Sequence, residues 1–206
     1  MNTLLFTVLG YLSGSVLYAR VASSLFGRDD LAAGSSDDNP GTFNAFKNGG
    51  FACGVFTLIG DIGKAFFPVW LYLISTDEET WRTGISLVLW APVFGHLFPL
   101  FFGFHGGKGI AASFGSLLGL WAGAFISVPV FCLAFLFLLF KLVIRVSPDF
   151  YMTGLVFLLF PLLLLPFGLP LAILAGGLMI SVSVLFRLSL SKEERGELEV
   201  KLLWMR

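Results

Sequence analysis

Polarity along the chain alternates on a scale of about twenty residues, the length an α-helix needs to cross a bilayer. Helical segments are expected over about 2–25, 50–74, 82–102, 109–121, 123–146, 151–166 and 168–187, seven in all. The apolar stretch from Gly109 to Arg145 is too long for one span, so a break is expected around Gly119 to Gly123. Pro161 and Pro166 are expected to kink or end the short sixth segment. The first segment reads as a retained span and not a signal peptide, because it lacks a basic n-region and spreads Ser13, Ser15 and Arg20 along its length. The fold class is therefore all-α, a polytopic integral membrane protein of about seven transmembrane helices. No internal repeat or low-complexity linker divides it, so residues 1–206 read as a single membrane-embedded domain with a polar C-terminal tail over about 188–206.

Composition agrees. The chain is 57% hydrophobic and 13% charged, with 24 Phe, where a soluble domain carries about 25% charge, and its mean hydropathy is +0.90. The formal net charge is zero, so nothing points to nucleic acid. Cys53 and Cys132 both lie in apolar segments and read as small buried residues.

Charge placement then orients the chain. With seven spans and an outside N-terminus, the inside loops receive Arg28, Lys47, Lys108, Lys141 and Arg145. The tail adds Arg187, Lys192, Arg195, Lys201 and Arg206, leaving only Arg82 outside. Ten against one is the asymmetry of the positive-inside rule, and it predicts N-out, C-in. The glycine-rich stretches Gly34 to Gly50 and Gly103 to Gly109 then share the cytoplasmic side.

Three polar clusters stand out. In the first inside loop, Asn39-Pro40-Gly41 signals a turn, and Thr42 or Asn44 can cap a helix beginning near Ala45. Such a helix start suits phosphate, although an ordinary connecting loop reads the same way. The aspartates Asp29, Asp30, Asp37 and Asp38 fit no EF-hand spacing. Asp61 and Lys64, at i and i+3, share a face inside a predicted span. They are either a structural ion pair or the lining of an anionic substrate site, with Lys64 facing a phosphate. In the third cluster, Gly106-Gly107-Lys108-Gly109 runs straight into an apolar helix, whose N-terminus adds positive potential to Lys108. That makes either a phosphate cradle or a glycine hinge. It is no Walker A loop, since the GxxxxGK[ST] spacing fails. His96 is a lone histidine without metal-ligand spacing.

These residues resemble a known family, the bacterial acyl-phosphate-dependent glycerol-3-phosphate acyltransferases (the PlsY family). GHLFPLFFGFHGGKGIAA, Gly95 to Ala112, is similar to the family's GHxFPxFxxFxGGKGxA motif. Asn39, Gly41 and Asn44 match its first-loop motif, and Asp61 to Ala65 its D-x-x-K-G segment. Gly14-Ser15 resembles its early Gly-Ser. There are departures. Asp37-Asp38 precede Asn39 where the family has Ser-Gly, Lys47 stands for an arginine, and His105 for a basic residue. The family's third motif, His-x-x-Asn after the last span, is absent: the region reads FRLSLSKEERGELEV, with Gly196-Glu197 the remnant.

The resemblance implies transfer of an acyl group from acyl-phosphate to the 1-hydroxyl of glycerol 3-phosphate, giving lysophosphatidic acid for phospholipid synthesis, at the bacterial cell (inner) membrane. A mixed-anhydride donor implies no cofactor and no metal, and the expected partners are the two substrates and membrane lipids. Catalytic candidates are Lys108, Asn44, Asp61 and His96. Substrate-binding candidates are Asn39, Gly41, Thr42, Lys47, Lys64, Gly106, Gly107 and Gly109. Lys108 and the amides of Gly106, Gly107 and Gly109 would take one phosphate, and Lys64, Lys47, Asn39, Thr42 and Asn44 the other substrate. The proton would go to the departing phosphate, or to His96 or Asp61. Two alternatives stand beside this: a relative that binds lipid phosphates without catalysis, and a small transporter.

Overall fold

The computed structural model describes residues 2–28, 41–191 and 196–203. Asn39 and the four loop aspartates lie outside these described residues.

Each expected apolar segment is helical. The first is α1 (Asn2–Gly14) and α2 (Tyr18–Leu25), bent by 43° at the Ser15–Leu17 break. A short helix α3 (Thr42–Gly49) follows, then α4 (Phe51–Ile74) and α5 (Glu78–Leu97). After the glycine loop come α6 (Ile110–Ala124), α7 (Val128–Leu138), α8 (Asp149–Leu164) and α9 (Leu171–Ser189). Four of the described helical stretches are long and apolar enough to cross a membrane, or five if α1 and α2 form one bent span; α6 and α7 are shorter.

Differences from the expected pattern have local causes. The break in the long fourth stretch falls at Phe125 to Ser127, not at Gly119 to Gly123. Those glycines are packing positions: a Cβ at Gly119 would lie 2.6 Å from the Phe66 carbonyl oxygen, and one at Gly123 2.7 Å from Leu73 Cβ. The chain turns instead at Phe125, in the left-handed region at φ 56°, and restarts with Pro129 in the first turn of α7, where its missing N–H is harmless. Pro161 stays inside α8, which gives way to a 3-10 turn at Leu165. A small sheet also forms: β1 (Ile144–Ser147) pairs antiparallel with β2 (Glu199–Leu202), so part of the expected tail folds back onto the body.

The helices pack α1 on α5, α4 on α6 and α5 on α9. Small residues make these contacts close, as helix association in lipid requires. Gly14 lies against the backbone of Pro92, and Gly115 against the Ile62 carbonyl. Between them sits a core that includes Tyr72, Leu89, Leu117, Phe157 and Ile180, all fully buried. Tyr72 Oη pairs with Thr3 Oγ1 at 2.8 Å, and Trp90 Nε1 donates to Ser183 Oγ at 2.8 Å, so buried polar tips are satisfied between helices. Leu4, Phe67, Phe131, Leu162 and Leu171 point outward, as lipid-facing side chains do. Cys53 and Cys132 are buried and unbridged.

Candidate active site

The start of α4, the end of α5, the starts of α6 and α8 and the end of α7 gather at one end of the bundle around a cavity of about 410 Å3. Much of its wall is apolar, formed by Leu58, Ile62, Ile110, Phe114, Phe137 and Met152. Polar groups enter at several points: Gly41, Thr42 and Asn44 from the first turn of α3, Asp61 from α4, His96 from α5, and Lys108 and Gly109 from the loop before α6. Residues far apart in sequence thus share one chamber. The first turns of both α3 and α6 lie on it, and a helix N-terminus carries N–H groups without intrahelical acceptors and a favourable potential for anions.

Thr42 and Asn44 do not cap α3 as expected. The helix begins at Thr42 itself, with Gly41 in the N-cap position and no side-chain cap. The Thr42 hydroxyl is buried and has no hydrogen-bond partner among the described residues.

Behind the cavity wall sits a cluster that the sequence placed differently. Lys64 is 5% exposed and is not among the cavity-lining residues. Its ammonium donates to the Val16 carbonyl at 2.6 Å and to His96 Nδ1 at 2.8 Å, and lies 2.8 Å from Asp61 Oδ1. The ammonium thus has two hydrogen-bond acceptors and one ion-pair partner. Lys64 therefore supports Asp61 and His96, which is the ion-pair alternative of the two readings offered by the sequence. The Val16 carbonyl is available because the break between α1 and α2 leaves it outside the helical ladder. Ser15 closes the same break: its Oγ donates to the Tyr11 carbonyl at 2.8 Å and accepts from Leu100 N–H at 3.2 Å. Among the described residues Asp61 Oδ1 accepts no hydrogen bond of good geometry, and it meets the Lys64 ammonium as an ion pair.

An ammonium has no lone pair, so His96 Nδ1 is the acceptor and the ring proton sits on Nε2. In that tautomer Nε2–H is the ring group left to donate.

The glycine loop is shaped by this histidine. Gly107 N–H donates to the His96 carbonyl at 3.1 Å, so that amide is engaged within the protein and not offered to a phosphate. A Cβ at Gly107 would strike His96 Nε2, and one at Gly106 the His96 carbonyl oxygen, so both glycines permit close approach to the end of α5. Gly109 adopts φ 82° as the N-cap of α6. From the opposite end of the sequence, Arg187 in the last turn of α9 donates through Nη2 to the Gly106 carbonyl at 2.8 Å.

Lys47 is exposed in the last turn of α3 and does not line the cavity, so it stands apart from the other candidates. Lys141, Asp149 and Thr153 do line it, and the motif reading missed all three because they lie outside every glycine-rich stretch. No group of three or more His, Cys, Asp or Glu suited to a metal occurs among the described residues.

The model of the glycerol-3-phosphate acyltransferase family matches residues 4–192. The chain belongs to that family. Its curated relatives include the glycerol-3-phosphate acyltransferase of Pseudomonas paraeruginosa, 43% identical over 124 residues. That match takes in 58% of this chain and 61% of the relative. The Herminiimonas arsenicoxydans protein of the same name is 40% identical over 126 residues, 60% of this chain and 61% of its own. The chain thus matches about three fifths of the length of these relatives. The crystal structure of PlsY (YgiH), an integral membrane glycerol 3-phosphate acyltransferase, in its glycerol 3-phosphate form superposes with TM-score 0.72 at 25% identity, covering 91% of this chain and 88% of that one. The lysophosphatidic acid form gives 0.70 at 24% over the same shares. A multi-pass membrane protein of this fold is therefore established.

Proposed function

We propose that the chain transfers an acyl group from acyl-phosphate to the 1-hydroxyl of glycerol 3-phosphate. The observation that carries this is one cavity whose wall is largely apolar and on which two helix N-termini, Lys108 and His96 also meet. A substrate with a phosphate head and a hydrocarbon tail has that polarity. Glycerol 3-phosphate, after which one form of the PlsY (YgiH) crystal structure is named, supplies a second phosphate.

In the reaction, the hydroxyl oxygen attacks the acyl carbonyl carbon and the carbon–oxygen bond to phosphate breaks. The proton passes to the departing phosphate, giving 1-acyl-glycerol 3-phosphate and inorganic phosphate. The activated anhydride leaves the protein to position two anions and stabilise developing charge. Lys108 and the first turn of α6 take one phosphate, and Thr42 and Asn44 sit beside it. His96 donates through Nε2 in place of acting as base, with Asp61 and Lys64 fixing its ring. We place the cavity mouth on the cytoplasmic side of the bacterial inner membrane, N-terminus out, because the basic residues other than Arg82 then fall inside or within spans.

The test is turnover by the purified full chain in lipid nanodiscs, with acyl-phosphate and glycerol 3-phosphate supplied and lysophosphatidic acid read by mass spectrometry. Product formation is expected. Saturable binding of both substrates without product would replace the enzyme with a lipid-phosphate binder.

A further inference from the structure

A site for two phosphate-bearing substrates needs more cation than Lys108 provides. The sequence nominated Lys47 and Lys64, yet neither is among the residues that line the cavity. Among the described residues, the one other lysine on the cavity wall is Lys141, just after α7 in a π-helical turn over Leu139–Val143. π-Helical turns are rare and concentrate at functional sites. Its Nζ lies 2.6 Å from Asp149 Oδ1, both side chains being about two-fifths exposed (43% and 41%). Asp149 is the first residue of α8, and one turn further on the same helix brings Thr153 to the same wall. Thr153 is 1% exposed, and its Oγ1 has no hydrogen-bond partner among the described residues. A buried hydroxyl without a partner costs stability unless a ligand meets it.

We propose that Lys141 and Thr153 form the glycerol 3-phosphate subsite of the cavity, with Lys141 Nζ on the phosphate and Thr153 Oγ1 on a ligand oxygen. This rests on the acyl-transfer reading above. The half-exposed position of Lys141 suits the substrate that arrives from water, whereas the acyl donor arrives from the lipid. Asp149 presents a carboxylate to the same space, and an anion binds there by sharing the Lys141 charge with it. That exchange is cheap, because an exposed ion pair contributes little.

The test is steady-state kinetics of the full chain in nanodiscs, varying each substrate. Lys141→Met and Thr153→Val should each raise KM for glycerol 3-phosphate about ten-fold, the size of one lost charged hydrogen bond. KM for acyl-phosphate should stay unchanged. Lys141→Arg and Thr153→Ser should retain most of the affinity, which a packing role for Thr153 does not predict. An unchanged KM for glycerol 3-phosphate in an active wild type overturns the subsite and leaves the acyl-transfer reading intact. If the wild type does not turn over, thermal protection by inorganic phosphate is compared in wild type and Lys141→Met. Protection lost in the variant upholds the subsite while the catalytic reading falls; equal protection in both, or none in either, overturns the subsite.

Discussion

Lys64 Nζ sits 2.8 Å from His96 Nδ1, and through Asp61 and the Val16 carbonyl the same ammonium ties α4, α5 and the α1–α2 break together. Removing one member of a buried charge pair leaves the other uncompensated, at a cost of about 3–5 kcal/mol. Lys64→Met is therefore expected to lower thermal stability strongly in detergent. The double variant Lys64→Met/Asp61→Asn should recover much of that loss without recovering activity. Equal stability of the single and double variants would contradict the pairing.

Gly107→Ala places a methyl on His96 Nε2. Since the loop must shift to make room, activity is expected to fall at least about a hundred-fold, the scale of a 1 Å misplacement at a reacting centre. The fold should survive, because the loop lies at the bundle's end. Circular dichroism together with turnover checks both.

Lys108→Ala is expected to abolish transfer in a protein that remains folded. Lys47→Ala should leave turnover nearly unchanged, since Lys47 is exposed and is not among the residues that line the cavity. The sequence had grouped the two lysines; side-by-side kinetics separate them, and a severe loss in Lys47→Ala would return it to the site.

Asp77 caps α5 by accepting from Thr80 N–H at 2.9 Å and from Thr80 Oγ1 at 2.9 Å. The backbone hydrogen bond from Thr80, above all, holds its carboxyl below the usual carboxylate value. A depressed folded value means that the cap's contribution is present above the unfolded carboxylate value, near pH 4, and fades as pH falls through the folded one. The melting temperature of Asp77→Ala should therefore lie below wild type at pH 7, and the two should converge as pH drops below about 4.

Hydrophobic patterning was enough to place the apolar helices, because each is a predominantly apolar run. It could not find the break at Ser15–Leu17, where no proline or glycine pair marks it and the carbonyl released there is claimed by a lysine 48 residues away. Nor could it tell a breaking glycine from a packing glycine: Gly119 looks like a hinge until Phe66 is set against it. The signal for the true break was Pro129, which suits a helix start. Around the cavity, local motifs singled out Lys108, His96, Asp61 and Asn44, all of which line it, since each lies in a short polar island. They left Lys64 between an ion pair and a phosphate ligand, because a charged residue inside a span reads alike whether it faces a ligand or a carbonyl; its contacts are those of the ion pair. They missed Thr153, since a threonine in an apolar helix carries no sign of which way it faces.

Arg187 holds the carbonyl of Gly106 from 81 residues downstream. During synthesis the glycine loop therefore exists before the side chain that fixes it. A ribosome-bound intermediate lacking α9 has every motif residue of the central stretch but no clamp on the loop that carries Lys108. The order in which helices enter the membrane thus delays assembly of the site until the last one is in place, and truncated chains released early would carry the motif without its geometry.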